Sequence, residues 1–167
     1  MILLVILVFV IPFGLIVFFG APYVPAHKKG VKDALSLIKV SKNGRVLDLG
    51  CGDGKFLLAA DKKGYKCTGY EANPFLYLIC KFRLRNYVNA NVKLSNFWKV
   101  EFPEDTELVY VFLLEKFMGR LDEKMKMEVK RLNKNLSLVS YVFKVPGKKP
   151  VEEVGGVRVY RYNVVKS

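Results

Sequence analysis

Apolar and polar positions divide the chain into one uncharged stretch followed by a succession of short alternating segments. Residues 1–19 carry no charged side chain. Val31, Leu35 and Ile38 then recur at helical spacing and predict a short amphipathic helix, closed by the polar run Ser41–Gly44. An apolar strand at Arg45–Leu49 leads through a glycine-rich turn into a helix-forming run from Lys55 that stops at Gly64. Lys66–Tyr70 reads as a second strand, ended by Glu71. Asn73 and Pro74 supply a cap and a first-turn proline for a helix running to about Asn86. A short strand near Val92–Leu94 follows, and Glu107–Leu114 is apolar enough for a strand buried on both faces. Phe117–Leu132 carries apolar residues at three- and four-residue spacing, and Leu136–Val142 is a further strand. Val151–Val154 and Val157–Val164 form a hairpin through Gly155 and Gly156. Alternating β and α elements closing on a hairpin predict a mostly parallel sheet flanked by helices, an α/β fold.

Composition adds three constraints. With 167 residues there is room for one domain with a real core. The uncharged run is long enough to cross a bilayer core of roughly 30 Å as a helix. Pro12 and Gly14 are tolerated in such a segment. A cleaved signal peptide is the rival reading, but the uncharged start and Gly20-Ala21-Pro22 fit it poorly. Lys28, Lys29 and Lys32 follow the run, so the positive-inside rule puts the rest of the chain in the cytoplasm as a single-pass membrane protein. The expected division is an anchor over 1–20, a stiff proline-containing linker over 21–30 and a domain over 31–167.

All 28 Lys and Arg and all 15 Asp and Glu lie after that run, so the part of the chain beyond it carries the whole net charge of +13. Anionic lipid headgroups, nucleic acid or an acidic protein surface would each suit such a charge, as would a merely solvated Lys-rich surface. Cys51, Cys67 and Cys80 are scattered singly, which fits neither a disulfide framework nor a metal site. His27 is the only histidine, so a His-based metal centre is excluded and a His general base is disfavoured.

The chemistry concentrates at residues 46–54, Val-Leu-Asp-Leu-Gly-Cys-Gly-Asp-Gly. Gly50, Gly52 and Gly54 allow a backbone to press against a nucleotide-like ligand, with Cys51 and Asp53 inside the turn and Asp48 just before it. A dinucleotide fingerprint would be Gly-x-Gly-x-x-Gly, but position 55 is Lys. The spacing points instead to S-adenosylmethionine (SAM), whose ammonium and sulfonium suit an acid at a strand end. Glu71, at the tip of the next strand about 20 residues on, is placed to take both ribose hydroxyls.

These residues resemble the class I SAM-dependent methyltransferases over residues 27–167. The resemblance implies a Rossmann-like sheet of order 3-2-1-4-5-7-6 with strand seven antiparallel. Asp48, the three glycines and Glu71 match that family's cofactor motifs. Asn96 matches the position of an acid that contacts the adenine amine.

A closer resemblance covers nearly the whole chain. It is to the small membrane-anchored protein-lysine methyltransferases that modify, in mitochondria, the adenine nucleotide translocase and the ATP synthase c-ring protein. It is carried by Pro22-Tyr23-Val24-Pro25, by Gly69-Tyr70-Glu71-Ala72-Asn73-Pro74 and by Asn96-Phe97-Trp98-Lys99. Phe143–Pro150 matches a further loop only in part, without its Trp. That resemblance implies protein-lysine methylation of a membrane-associated acceptor. Asn73 joins the cofactor set and is also a simple helix cap, while Asp53 is equally suited to holding the turn. Leu113–Phe117 lacks the Asn/Asp-Pro-Pro-aromatic motif of amine-methylating DNA and glutamine enzymes. Glu115 stands where an acceptor ammonium would arrive, and Tyr23 is a second candidate catalytic residue. An RNA methyltransferase, or a lipid or small-molecule methyltransferase, remains the alternative.

Overall fold

The structure, a computed structural model, describes residues 28–165. The uncharged run, the Pro22–Pro25 element and Tyr23 therefore lie outside the described residues. Helix α1 (Lys28–Ser36) precedes β1 (Arg45–Leu49), α2 (Lys55–Asp61), β2 (Lys66–Glu71), α3 (Pro74–Leu84) and β3 (Ala90–Leu94). Then come β4 (Thr106–Val111), α4 (Met118–Leu132), β5 (Leu136–Tyr141), β6 (Glu152–Val154) and β7 (Val157–Tyr162). The seven strands form one sheet in the order β3-β2-β1-β4-β5-β7-β6. β1 to β5 pair in parallel, and β7 lies antiparallel between β5 and β6. This is the expected topology. Among the described residues no helix is long and apolar enough to cross a membrane.

The core has two layers, one on each face of the sheet, because strand residues alternate between faces. Val46, Cys67, Leu108 and Tyr110 pack with α1, α2 and α3 on one side. Leu47, Leu49, Val109 and Val111 face the other side, with α4 and the Phe143–Val145 loop. Helices of nine and seven residues, as α1 and α2 are, do not hold by propensity in water. Their stability comes from burying Val31, Ala34, Leu35, Phe56, Leu57 and Ala60. Each large apolar side chain so buried contributes about 1.5–3 kcal/mol.

Several boundaries differ from the sequence reading, three of them for a reason visible in the packing. Helix α1 covers Lys28–Ser36 and so takes in part of the stretch assigned to the linker, with Gly30 packed directly against the Tyr141 ring where no Cβ would fit. It also ends at Ser36, before Ile38, with the Ser36 hydroxyl donating to the Asp33 carbonyl. Strand β4 stops at Val111 instead of continuing to Leu114. Its neighbour β1 ends at Leu49, directly opposite Val111, so residues beyond have no partner on that side. The chain turns there through Glu115–Phe117 into α4. At the opposite, amino-terminal edge of the sheet, Asp105 clamps Arg45 of β1 at 2.8 Å and Lys66 of β2 at 2.6 Å.

Candidate functional site

Parallel strands deliver their carboxyl ends to one edge of the sheet, and the chemistry-bearing residues gather there. β1 ends in the turn Gly50–Gly54, with Gly50, Gly52 and Gly54 at φ of 82°, 56° and 81°. A side chain is strained at such angles. Gly54 is further confined, because a Cβ there would stand 2.5 Å from the Cys80 sulfur of α3. Above Gly50 the nearest atom to such a Cβ is on the Phe97 ring, at 3.9 Å, so this side of the turn is open to a ligand.

The turn's hydrogen bonds decide between ligand classes. The Gly50 and Cys51 amides donate to the Tyr70 carbonyl at 2.9 and 3.1 Å, and the Gly54 amide donates to the Cys51 carbonyl at 2.9 Å. The Gly52 amide donates to Glu71 Oε2 at 2.8 Å. A pyrophosphate nest needs such N–H groups free and aimed at the anion. Here four of them are committed inside the protein, above two buried acids. The arrangement suits a ligand with hydroxyl groups and positive charge, and repels a dianion.

Glu71 is the hinge of the site. Its Oε1 accepts from the Asn73 amide at 2.8 Å while its Oε2 holds Gly52, so one buried carboxylate joins the glycine turn to the start of α3. Each oxygen keeps lone-pair capacity for a further donor. Asn73 caps α3, its Oδ1 accepting from the Phe75 and Leu76 amides at 2.9 and 3.3 Å. Asp53 turns to α3, where Arg83 donates to its Oδ2 at 2.6 Å and to its carbonyl at 3.1 Å. Asp53 thus fastens the turn, and Arg83, absent from the sequence reading, is its latch.

Asp48 is 3% exposed. Burial, then the charges of Glu71 and Asp53, hold its pKa well above the usual carboxylate range. Across the sheet Asp48 pairs in register with Tyr110 of β4, whose buried hydroxyl has no partner among the described residues. Phe56 stacks on the Tyr110 ring at 3.8 Å, fixing its place. The Cys51 thiol is pushed up by the neighbouring Cys80 thiol and by burial, so Cys51 offers a ligand only its backbone. Cys67 is pushed up to about 12 by burial. Neither is a reactive thiolate at neutral pH.

At the end of β3, Asn96 is exposed and its Oδ1 accepts from the Trp98 amide at 3.1 Å, capping the turn Phe97–Lys99. Among the described residues one carbonyl lone pair and the amide donors of Asn96 have no partner. That turn places Phe97 beside Gly50 and sets Trp98 4.5 Å from Phe97 and 6.3 Å from Phe117. The Arg120 guanidinium covers the Trp98 ring at 4.3 Å. Glu115 sits exposed in the turn after β4, at the same edge of the sheet as the glycine turn. Among the described residues no cluster of His, Cys, Asp or Glu is suited to a metal ion.

A buried acid at the end of β1 gives a signed prediction for a cationic ligand. A proton on Asp48 must leave before it can meet a positive charge, so affinity for SAM should fall as pH falls through the raised pKa. Asp48→Asn should weaken SAM binding about a hundredfold and flatten that pH profile, by titration calorimetry across pH. The ligand-free stability should move the opposite way. With the folded pKa above the unfolded one, Asp48 contributes stability that is present at low pH and lost as pH rises through the folded value. Asp48→Asn should therefore raise the Tm of the ligand-free chain at neutral pH.

A parallel sheet of this order, with a reversed strand seven and a glycine turn flanked by two acids, is the class I methyltransferase fold. Residues 48–152 match the family model described as the ANTKMT methyltransferase domain, and the chain belongs to that family. The adenine nucleotide translocase lysine N-methyltransferase of Mus musculus is 36% identical over 149 residues, which cover 86% of this chain and 63% of that protein. A protein-lysine N-methyltransferase of Saccharolobus islandicus (strain REY15A) is 33% identical, over 80% of this chain and 83% of that protein. A lysine N-methyltransferase of Xenopus laevis, named for the ATP synthase protein it modifies, is 37% identical over 111 residues. Those residues cover 65% of this chain and 48% of that protein, so the chain spans about half the length of such relatives. Among solved structures, an RNA methyltransferase from Salinibacter ruber in complex with S-adenosyl-L-homocysteine superposes with a TM-score of 0.72. It is 21% identical, with 86% of this chain and 95% of that chain covered, a likeness that shows the fold.

Proposed function

We propose that this chain is a SAM-dependent protein-lysine N-methyltransferase whose acceptor is a membrane-associated protein. The observation that carries the reading is the pairing of Glu71 with the glycine turn beside the buried Asp48, in a chain of a methyltransferase family with relatives named for lysine methylation. Asp48 meets the positive charge of SAM, Glu71 takes its ribose hydroxyls, the backbone at Gly50–Gly54 packs against it, and Asn96 receives its adenine. Asp53 and Asn73 hold the turn and the start of α3. When bound, SAM supplies a methyl group on a good leaving group, and the protein's task is alignment and exclusion of water. Glu115 attracts the acceptor ammonium to the carboxyl edge of the sheet. Tyr23, beyond the described residues, is the second candidate at the acceptor. Residues 1–20 hold the domain to the bilayer on its cytoplasmic side, beside the acceptor.

The test is the full chain reconstituted in bilayers with tritiated-methyl SAM and membranes from the source cell. Label should enter a protease-sensitive, RNase-resistant band that hydrolyses to methyl-lysine. Label that follows RNA or extracts into organic solvent would overturn the lysine reading and leave the methyltransferase fold.

A further inference from the structure

Helix α3 is apolar on two sides. One side, with Cys80 and Leu84, packs against the sheet. The other carries Phe75, Leu78, Ile79 and Phe82 at i, i+3, i+4 and i+7, so the four form one stripe. They are 57%, 59%, 46% and 67% exposed, and Leu94, on the neighbouring edge strand β3, is 53% exposed. Isolated apolar side chains on a surface are ordinary, but a continuous stripe along a helix marks a binding face.

Charge narrows the occupant. Residues 72–100 contain no acidic side chain, while Lys81, Arg83, Arg85, Lys93 and Lys99 are basic. Arg83 is taken up by Asp53. Among the described residues the other four pair with no carboxylate. The Arg85 guanidinium lies 3.9 Å from the centre of the Phe82 ring and so borders the stripe, while the Lys81 ammonium, on the same helix, lies 5.7 Å from that of Tyr77.

We propose that α3 is a membrane-surface helix: Phe75, Leu78, Ile79 and Phe82 enter the headgroup–acyl boundary of an anionic bilayer, and Lys81 and Arg85 meet its phosphates. A second copy of the chain fits poorly, because each copy carries +13 and like-charged rims would meet. The chain's own residues 1–19 are apolar but bring no negative charge to the rim. An anionic lipid surface satisfies both features. The inference stands whether or not residues 1–20 form an anchor, and it deepens the proposed function. Because α3 starts at the Glu71–Asn73 junction, docking it would set the carboxyl edge of the sheet beside the headgroups, where an acceptor in the membrane would arrive.

The test places an environment-sensitive fluorophore on the full chain through Leu78→Cys, with Lys130→Cys on the exposed side of α4 as control. Unsubstituted chain, whose thiols are buried, gives the labelling background, and circular dichroism checks the fold. Vesicles contain brominated acyl chains, with or without phosphatidylserine. The label at 78 should shift to the blue and be quenched in phosphatidylserine vesicles. The fraction quenched should fall about tenfold without phosphatidylserine or at high salt, while the label at 130 stays unquenched. An unshifted label at 78 would overturn the proposal. So would a blue shift without quenching, which would show that protein covers the stripe: the chain's own apolar segment, a second copy or another partner.

Discussion

Gly54→Ala should cost the fold about 2–5 kcal/mol. The backbone at Gly54 sits at φ 81°, in the left-handed region where a side chain adds about 1–2 kcal/mol. The new Cβ would also stand 2.5 Å from the Cys80 sulfur and 3.7 Å from the Cys80 Cα. Overpacking a filled core in this way costs about 1–3 kcal/mol. That sum is a large part of the stability of an ordinary domain. Adding Cys80→Ala should return the share due to contact and leave the share due to the backbone, a coupling that a double-mutant cycle measures. Denaturant midpoints of the two single variants and the double variant provide the check. An unchanged midpoint for Gly54→Ala would mean that the turn is not held as described, and equal costs with and without Cys80 would remove the contact from the explanation.

Glu71→Gln should weaken SAM binding about a hundredfold or more and also destabilise the fold. Two amides, the buried one of Gly52 and the half-buried one of Asn73, donate to the two carboxylate oxygens. Gln offers one acceptor oxygen and one donor group, so one of those amides would face another donor. Losing a hydrogen bond to a charged group costs about 1.5–3 kcal/mol, and the neutral amide would serve the ribose hydroxyls less well. The contrast with Asp48→Asn is the informative part. Both variants should bind SAM weakly, but in the ligand-free chain Glu71→Gln should lower Tm and Asp48→Asn should raise it. Thermal unfolding of the two variants without ligand reads the signs directly. The same sign in both would show that one of the two carboxylates has been given the wrong role.

The parts of the site that were legible in the sequence are those that local chain geometry creates. Asp48, the three glycines and Glu71 lie within one strand–turn–helix–strand unit, where spacing fixes position. The cap at Asn73 and the hairpin at Gly155 and Gly156 are local for the same reason. The rest depends on register between distant segments. Arg83 reaches Asp53 across 30 residues because α3 packs over the turn. Tyr110 meets Asp48 only because β4 pairs with β1 in that phase. A tyrosine within the apolar run Leu108–Val111 was the available signal, but it does not name its partner. Gly30 reads as part of a linker until Tyr141 is seen filling the space a side chain would need. The stripe on α3 was hidden by its composition, since an apolar helix reads as core whichever face is buried.

The account's central claim is that the carboxyl edge of this sheet holds a cationic methyl donor and not a pyrophosphate-bearing nucleotide. The most direct measurement is titration calorimetry of the bilayer-reconstituted full chain with SAM, then with NAD, then with SAM in the presence of NAD. The committed turn amides and the two buried acids predict saturable binding of SAM at one site, no heat from NAD, and a SAM isotherm that NAD leaves unchanged. Saturable NAD binding that displaces SAM, or no binding of SAM at all, would contradict the account.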